Sequence, residues 1–568
     1  MTESKNVRTA MNLRFGAFEV DLEGRRLLKR GMPITLREQS FQVLAALMER
    51  PGEIVTREEL RRRLWSSDTF VDFEVALNSA VSRLRDALGD SADSPSFIET
   101  IPKRGYRFVV PIAKRPAVAV MPFANQTAEA RDEYFSDGLT DELIRVLSRI
   151  DGLRVTARSV VFRFKGQPSD AREVGRELGV DAVLEGSVWR PGDRIRITVN
   201  LVGVKDGFNL WAQRFDSDLG DLFGIQDEVC TAVAEALNVR LMARLPERHP
   251  RNVGAYVQYL KGAYLLKKRR PDDVRRAFEY LQEAIRLEPG YAEPYYGAAM
   301  FYNMSAAFGA LPPRSALPQA EELLAKGLAL DENSASLHST LGILRLYQWR
   351  WSESEQAHRR AISLEPTNAF PHMAYPVLCS FLGRHEEALL HAAKAVELDP
   401  LDLMTNFRLL QANYYSRHYE EAVRCGRMAV ELTPDSPYTF FYLALSLAAM
   451  SLKEEAWSAA STARKLNDGL PLGEGYFGYI AGALGHTVEA RNVIDELEAL
   501  RGKGYGPALP IAWTYVGLGE TAAALESMET ALVEREPFLG SVMVFPAYDA
   551  IRDQPRFRRL ANQLKLSA

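Results

Sequence analysis

An α+β domain at the amino end, an α/β domain in the middle and an all-α superhelix over the rest make up the multidomain fold that the sequence predicts. Three observations predict it. Between residues 72 and 110, apolar residues at helical spacing precede two short alternating runs around a basic tip. From about 115 to 245, strand-like and helix-like runs alternate. From about 250 onward, Ala388, Ala422, Ala456, Ala490 and Ala524 recur every 34 residues, and Pro366, Pro400 and Pro434 share that period.

Composition and charge narrow the function classes. Residues 1–115 hold 20 Lys and Arg against 16 Asp and Glu, a net +4, and the remainder holds 50 against 58. The positive end is where nucleic acid is expected. Cys230, Cys379 and Cys425 are odd in number and far apart, so no disulfide framework or CxxC metal site is supported, which suits a reducing cytoplasm. No apolar run of about 18 residues occurs and the start is polar, so no membrane span or secretory signal is expected.

In order along the chain, residues 1–11 form a polar lead, and Leu13 to Leu36 alternate as short antiparallel strands. Leu36 to Glu49 follow as a helix with Phe41, Leu44 and Leu47 or Met48 inward. Thr56 caps the next helix, with Glu58 and Glu59 opposing its dipole. Arg61, Arg62 and Arg63 on that helix are either a solvated face or phosphate contacts. Residues 66–73 link it to a third helix, on which Leu77, Val81, Leu84 and Leu88 form a buried stripe. Asn78, Ser82 and Arg85 share the opposite face, with Ser79 and Arg83 at its margins. Such a face suits the major groove, where Arg pairs with guanine edges and Asn with adenine edges. Phe97 to Thr100 and Tyr106 to Val110 then form a hairpin around Pro102-Lys103-Arg104-Gly105. A recognition helix followed by a basic β-wing is the outline of a winged helix-turn-helix.

Residues 12–112 resemble the DNA-binding effector domain of OmpR/PhoB-type and ToxR-like transcription regulators. The resemblance is carried by Leu36-Arg37-Glu38, Val55-Thr56-Arg57-Glu58-Glu59-Leu60, Leu64-Trp65, Val81-x-Arg83-Leu84-Arg85-x-Ala87-Leu88 and Gly105-Tyr106-Arg107-Phe108. It implies double-stranded DNA as partner, contacts from Arg83 and Arg85, and backbone contacts from Thr100 and Tyr106. The family's usual wing arginine falls on Pro102, with Lys103 and Arg104 beside it. It also implies that the 66–73 loop meets RNA polymerase, the alternative being a plain connector, and that the protein dimerises on tandem half-sites. ToxR-like regulators carry a membrane helix after the winged domain, whereas here residues 111–119 pass directly into another domain.

In the middle region, Ala117 to Phe123, Leu153 to Thr156, Ala182 to Trp189, Arg194 to Val202 and Leu210 to Phe215 read as strands. Helices are expected from Tyr134 to Ile150, starting near Ser136 or Thr140, from Asp170 to Leu178, and from Leu219 to Leu241. Val120-Met121-Pro122-Phe123, Phe135-Ser136-Asp137-Gly138-Leu139-Thr140, Leu184-Glu185-Gly186-Ser187-Val188 and Trp211-Ala212-x-Arg214-Phe215 resemble the TolB-like amino-terminal domain, which defines no ligand. Asp137 and Asp141, four apart near a helix start, are read as acids opposing the dipole rather than as metal ligands. All histidines lie at His249 or later, and no Walker or dinucleotide fingerprint occurs, so neither cofactor nor catalytic constellation is expected.

The 34-residue period with small residues where helices cross is the tetratricopeptide signature. Gly342 lies 12 before Ser354, and earlier units use Gly262, Ala277, Ala284 and Pro289, then Gly297 and Ala320. About eight units are expected, followed by a segment from Tyr548 to Leu566 that caps the stack. Tyr295, Tyr296, Tyr302, Tyr414 and Tyr415 are read as core. Arrays of this kind bind peptides or proteins on a concave face.

The expected domains are 12–113, 115–245 and 250–568. They read together as a cytoplasmic, bacterial, sequence-specific DNA-binding transcription regulator, not an enzyme. No receiver domain with a phospho-acceptor aspartate precedes the winged domain, so control by partner occupancy of the repeats is expected. The alternatives are an interaction scaffold whose winged domain no longer reads DNA, or a small-molecule receptor acting through the middle domain.

Overall fold

The computed structural model describes residues 12–564 except 17, 23–24, 30–31, 66–72, 111–112, 115, 128–131, 151, 168–169, 191, 193, 240–249 and 269. The polar lead, most of the 66–73 loop and the last residues of the expected cap lie outside the described residues.

The first unit opens with β1 (Asn12–Phe15), β2 (Phe18–Asp21), β3 (Arg26–Lys29) and β4 (Met32–Ile34), an antiparallel meander. Helix α1 (Glu38–Glu49) buries Phe41, Leu44, Leu47 and Met48 together, so both expected inward residues at its end are core. Strand β5 (Ile54–Thr56) leads into α2 (Arg57–Leu64), whose capping box joins Thr56 and Glu59 reciprocally. Helix α3 (Phe73–Leu88) buries Leu77, Ala80, Val81, Leu84 and Leu88. The hairpin is β6 (Ile98–Ile101) with β7 (Gly105–Phe108), and β7 also pairs with β5. Strand β8 (Ala113–Lys114) returns to pair with β1, so the first sheet runs in the order β4-β3-β2-β1-β8.

The second unit is a mixed sheet of β9 (Ala117–Val120), β10 (Ala124–Asn125), β11 (Arg154–Val155), β12 (Ala182–Trp189), β13 (Arg194–Gly203) and β14 (Asn209–Asp218). Its order is β11-β9-β12-β13-β14; β9 lies parallel to both neighbours, and β12, β13 and β14 are antiparallel. Helix α4 (Glu133–Ser148) starts at Glu133, before both expected starts. The Ser136 and Thr140 hydroxyls back-bond within the helix, to Glu133 O and Ser136 O, and Thr140 Oγ1 also accepts from Phe123 N. A short helix α5 (Arg158–Phe162), not expected from the pattern, precedes α6 (Ala171–Leu178). Helix α7 (Leu222–Ala236) ends before the expected Leu241, which itself lies outside the described residues. Asp137 pairs with Lys165, and Asp141 with Arg158 and Lys267, so both acids are engaged by cations of the protein.

Eight helix pairs follow among the described residues, from α8 (Val253–Lys268) with α9 (Pro271–Leu287) to α22 (Leu509–Gly517) with α23 (Thr521–Glu534). The periodic alanines at 388, 422, 456, 490 and 524 are each fully buried. A Cβ on Gly262 would stand 2.7 Å from Leu281 Cγ, and one on Gly342 2.6 Å from the His358 ring, so helix crossing demands glycine there. Tyr295, Tyr414 and Tyr415 are buried as core, and Tyr296 and Tyr302 are half-buried.

Two contacts redraw the expected array. First, it shares a core with the middle unit: Tyr256 and Leu260 of α8 pack with Leu139, Phe223 and Val229, and Arg149 Nε donates to Glu365 Oε1 at 2.8 Å. Second, residues 537–551, which overlap only the start of the expected cap, fill the stack, while the helix Pro555–Gln563 within that expected cap packs against α23. Two 3-10 turns, Pro537–Ser541 and Pro546–Ala550, run along the inner helices, with Leu539, Val542, Phe545 and Tyr548 buried. Phe545 lies 6.1 Å from the Tyr414 ring and 5.4 Å from Trp513, whose Nε1 donates to Tyr548 Oη at 2.6 Å. Leu472 N, in the first turn of α20 (Pro471–Leu484), reaches Phe308 O at the end of α10 (Glu293–Ala307), so the array closes on itself. The inner face, expected to be an open peptide groove, carries the chain's own residues 537–551.

Candidate nucleic-acid interface

The site is built on α3. Its apolar stripe faces α1, where Ser40 Oγ donates to Ala80 O at 3.0 Å, so the opposite face is presented outward. Asn78, Ser82 and Arg83 are exposed and Ser79 is half-buried. Val75, 65% exposed, completes that face. It was not singled out in the sequence, although positions 75, 78, 79, 82 and 83 follow helical spacing. Arg83 Nη2 donates to Ser79 Oγ at 2.7 Å, which lays the guanidinium along the helix.

Arg85 sits differently from Arg83. It is half-buried, and its Nη2 donates to Ile98 O at 2.7 Å and to Thr100 Oγ1 at 2.8 Å, tying the helix to β6. Thr100 is thereby an acceptor within the protein. Tyr106 is 2% exposed, and its hydroxyl accepts from Arg57 Nη2 at 3.1 Å and donates to Asn78 Oδ1 at 2.9 Å. Burial pushes its phenol upward, opposed by the nearby Arg57 charge. Arg57, which the sequence offered only as part of the family motif and not as a site residue, donates to Asn78 Oδ1 at 3.2 Å and pairs with Glu74. No short-range pattern links positions 57, 78 and 106.

The wing tip is a tight turn: Arg104 N donates to Ile101 O at 3.0 Å, Pro102 stands at its second position, and Lys103 takes a φ of +61°. Lys103 and Arg104 are exposed. Gly105 lets β7 pass under β5, since a Cβ there would stand 2.1 Å from Val55 O. Arg61 and Arg62 are exposed beside Glu58, and Arg63 beside Glu49, so that run is a surface ion-pair network. Among the described residues no group of three or more His, Cys, Asp or Glu is placed to hold a metal ion, and no helix is long and apolar enough to cross a membrane.

Comparison with known proteins bears on this geometry. Residues 31–108 match the family model for "Transcriptional regulatory protein, C terminal", and residues 114–232 the model for "HilA/YgeH-like transcriptional regulator, second domain". The second match makes the middle unit similar to the second domain of HilA-like regulators. The chain is 24% identical over 345 residues to the transcriptional regulator HilA of Salmonella typhimurium, covering 58% of this chain and 60% of that protein. It is 37% identical over 81 residues to the cholera toxin homolog transcriptional activator of Vibrio parahaemolyticus, covering 14% of this chain and 28% of that one. It is 34% identical over 252 residues to a protein of Rhizobium meliloti named putative adenylate cyclase 3, covering 43% and 42%. The chain thus spans about half the length of HilA and of the Rhizobium protein. In fold and sequence, the chain joins an OmpR/PhoB-type transcriptional-regulator domain to a HilA-like second domain and a tetratricopeptide-like helical array.

Proposed function

We propose that the protein is a transcription regulator that places α3 in the DNA major groove and the β6–β7 hairpin against the backbone or minor groove. The observation that carries it is the outward face of α3, on which Val75, Asn78, Ser82 and Arg83 stand exposed beside a wing tip bearing Lys103 and Arg104. Phosphate contacts fix register and base edges give specificity, and the two elements supply one of each. Arg83 is the guanine-edge reader, with Ser79 steadying it. Arg85 and Thr100 act by holding the wing at its angle to the helix. Residues 66–73 remain the candidate contact with RNA polymerase, and two copies occupy tandem half-sites.

Control passes from the array. Because the middle unit and the first repeats share one core, a partner that shifts the repeats acts on the middle unit directly. Such a partner either displaces residues 537–551 from the inner face or binds the outer helices.

The test is binding of the full chain to genomic fragments across a salt series. Retained fragments, a log–log salt slope of several units and a loss of about 1–3 kcal/mol with relaxed sequence preference in Arg83→Ala are expected. Binding of no fragment above the non-specific level would hand the function to a protein-docking scaffold.

A further inference from the structure

We propose that Asn78 is a donor-only reader: Arg57 and Tyr106 pin its carbonyl oxygen inward, and only its amide N–H groups face the nucleic acid. The inference rests on the DNA-binding reading above. Arg57 carries donors and no acceptor, so the Asn78 atom 3.2 Å from its Nη1 is the oxygen and not the amide nitrogen. The Tyr106 hydroxyl accepts from Arg57 Nη2 at 3.1 Å, which leaves its own proton for Asn78 Oδ1 at 2.9 Å. All three bonds agree on one polarity. The clamp is stiff, since Tyr106 is buried, the Arg57 guanidinium lies 5.2 Å from its ring centre, and Glu74 pairs with the same guanidinium.

Adenine is read by an amide that accepts from N6–H and donates to N7 at once, which takes both ends of the side chain. With its oxygen already holding two donors, Asn78 offers only N–H. The groups that satisfy it are acceptors: a phosphate oxygen, guanine O6, thymine O4, or the N7 of either purine, which by itself does not tell adenine from guanine. Its neighbours on the face agree in chemistry. Arg83 is a donor, and the exposed isopropyl group of Val75, one turn earlier, is of the kind that meets a thymine methyl. The face is matched to keto edges and phosphates, and Arg57 and Tyr106 are positioning residues for it.

The test uses the full chain and the genomic fragments it retains; retention of none removes the DNA-binding reading and this inference with it. On retained fragments, Asn78→Asp, which replaces the outward N–H groups with oxygen, is expected to weaken binding more than tenfold. Tyr106→Phe is expected to weaken it several-fold in the parent and not at all in an Asn78→Ala background, with circular dichroism melts confirming that each variant is folded. A salt slope reduced by about one in Asn78→Ala, with sequence preference intact, identifies a phosphate acceptor. An unchanged slope with preference relaxed at one guanine or thymine identifies a base acceptor. Wild-type affinity in Asn78→Asp, loss of an adenine preference in Asn78→Ala, or additive effects of Tyr106→Phe and Asn78→Ala would overturn the proposal.

Discussion

Arg417 and Asp549, 132 positions apart, form a two-pronged ion pair, Nη1 to Oδ2 at 2.5 Å and Nη2 to Oδ1 at 2.8 Å, that fastens the carboxyl-terminal segment to the inner helices. Both side chains are nearly half exposed, so water screens the pair and it stabilises by about 0.2–1 kcal/mol. Phe545 is 1% exposed within a cage of aromatic rings, where truncation costs about 3–5 kcal/mol. Packing therefore outweighs charge. Urea unfolding is expected to show a small midpoint shift for Arg417→Ala and a large one for Phe545→Ala. Equal shifts would mean that the segment is held by its rim and is free to leave.

Glu536 begins that segment, and its carboxylate accepts from Ala508 N at 2.5 Å and Leu509 N at 3.1 Å at the start of α22. Burial pushes its carboxyl up to about 8 against these two bonds. A folded value above the unfolded one makes its contribution fully present below the ordinary glutamate range, near 4.5, and lost as pH rises through about 8. The expected outcome is a fall in unfolding midpoint from pH 5 to 8.5 that is shallower in Glu536→Gln than in the parent. Parallel profiles would show that Glu536 titrates normally.

His372 and His391 shape the acid side. His372 Nε2 donates to Pro366 O at 3.0 Å, so its Nδ1 is the acceptor in the 3.0 Å contact with His391 Nδ1. Burial first, then the neighbouring His391, holds His372 down at about 4. A depressed histidine is neutral in the folded state while the unfolded chain takes up a proton, so stability is lost as pH falls from about 6.5 through 4. Melting of His372→Gln between pH 7 and 4 should be less pH-dependent than that of the parent; an unchanged slope would assign the acid loss to other groups.

What could be read from the sequence follows from the range over which residues act. The Leu77, Val81, Leu84 and Leu88 stripe, the Thr56 cap and the alanines at 388 to 524 repeat at short intervals set by helix geometry, and all appear where expected. Alternation placed Tyr106 in a strand, but nothing local joins its hydroxyl to Asn78, 28 residues away, or to Arg57, 49 away. Arg85 matched a DNA-contacting position by resemblance, while its side chain lies against Thr100 because α3 crosses β6. The closed array was hidden for the same reason, since Phe308 and Leu472 meet through the summed rotation of several repeats.

At the wing tip, stability and binding are expected to separate. Lys103 holds a left-handed φ of +61° at the turn position that glycine favours, a strain of about 1 kcal/mol. Lys103→Gly should raise the melting temperature slightly while lowering the salt slope of DNA binding by about one. Gly105→Ala should do the opposite kind of damage. Its Cβ meets Val55 O at 2.1 Å, and parting β7 from β5 costs about 1–3 kcal/mol or more. Differential scanning calorimetry with binding isotherms checks both, and a destabilised Lys103→Gly would show that the lysine side chain supports the turn.

Arg83 and Arg85 are two residues apart yet are expected to fail differently. Arg83 is exposed, and its one side-chain bond among the described residues, to Ser79 Oγ, joins two side chains of a single helix. Removing it leaves no buried group unpaired, so Arg83→Ala should melt within about 0.5 kcal/mol of the parent. The loss should appear in affinity and sequence preference. Arg85 bridges α3 to Ile98 O and Thr100 Oγ1, and its removal strands a carbonyl on β6 at a cost of about 1–3 kcal/mol. Arg85→Ala should therefore lower stability and weaken binding across all sequences alike, because the wing loses its angle to the helix. Chemical denaturation alongside binding to a set of single-base variants distinguishes the two. Relaxed preference at one base pair in Arg85→Ala, with stability unchanged, would show that the guanidinium leaves Thr100 to read DNA.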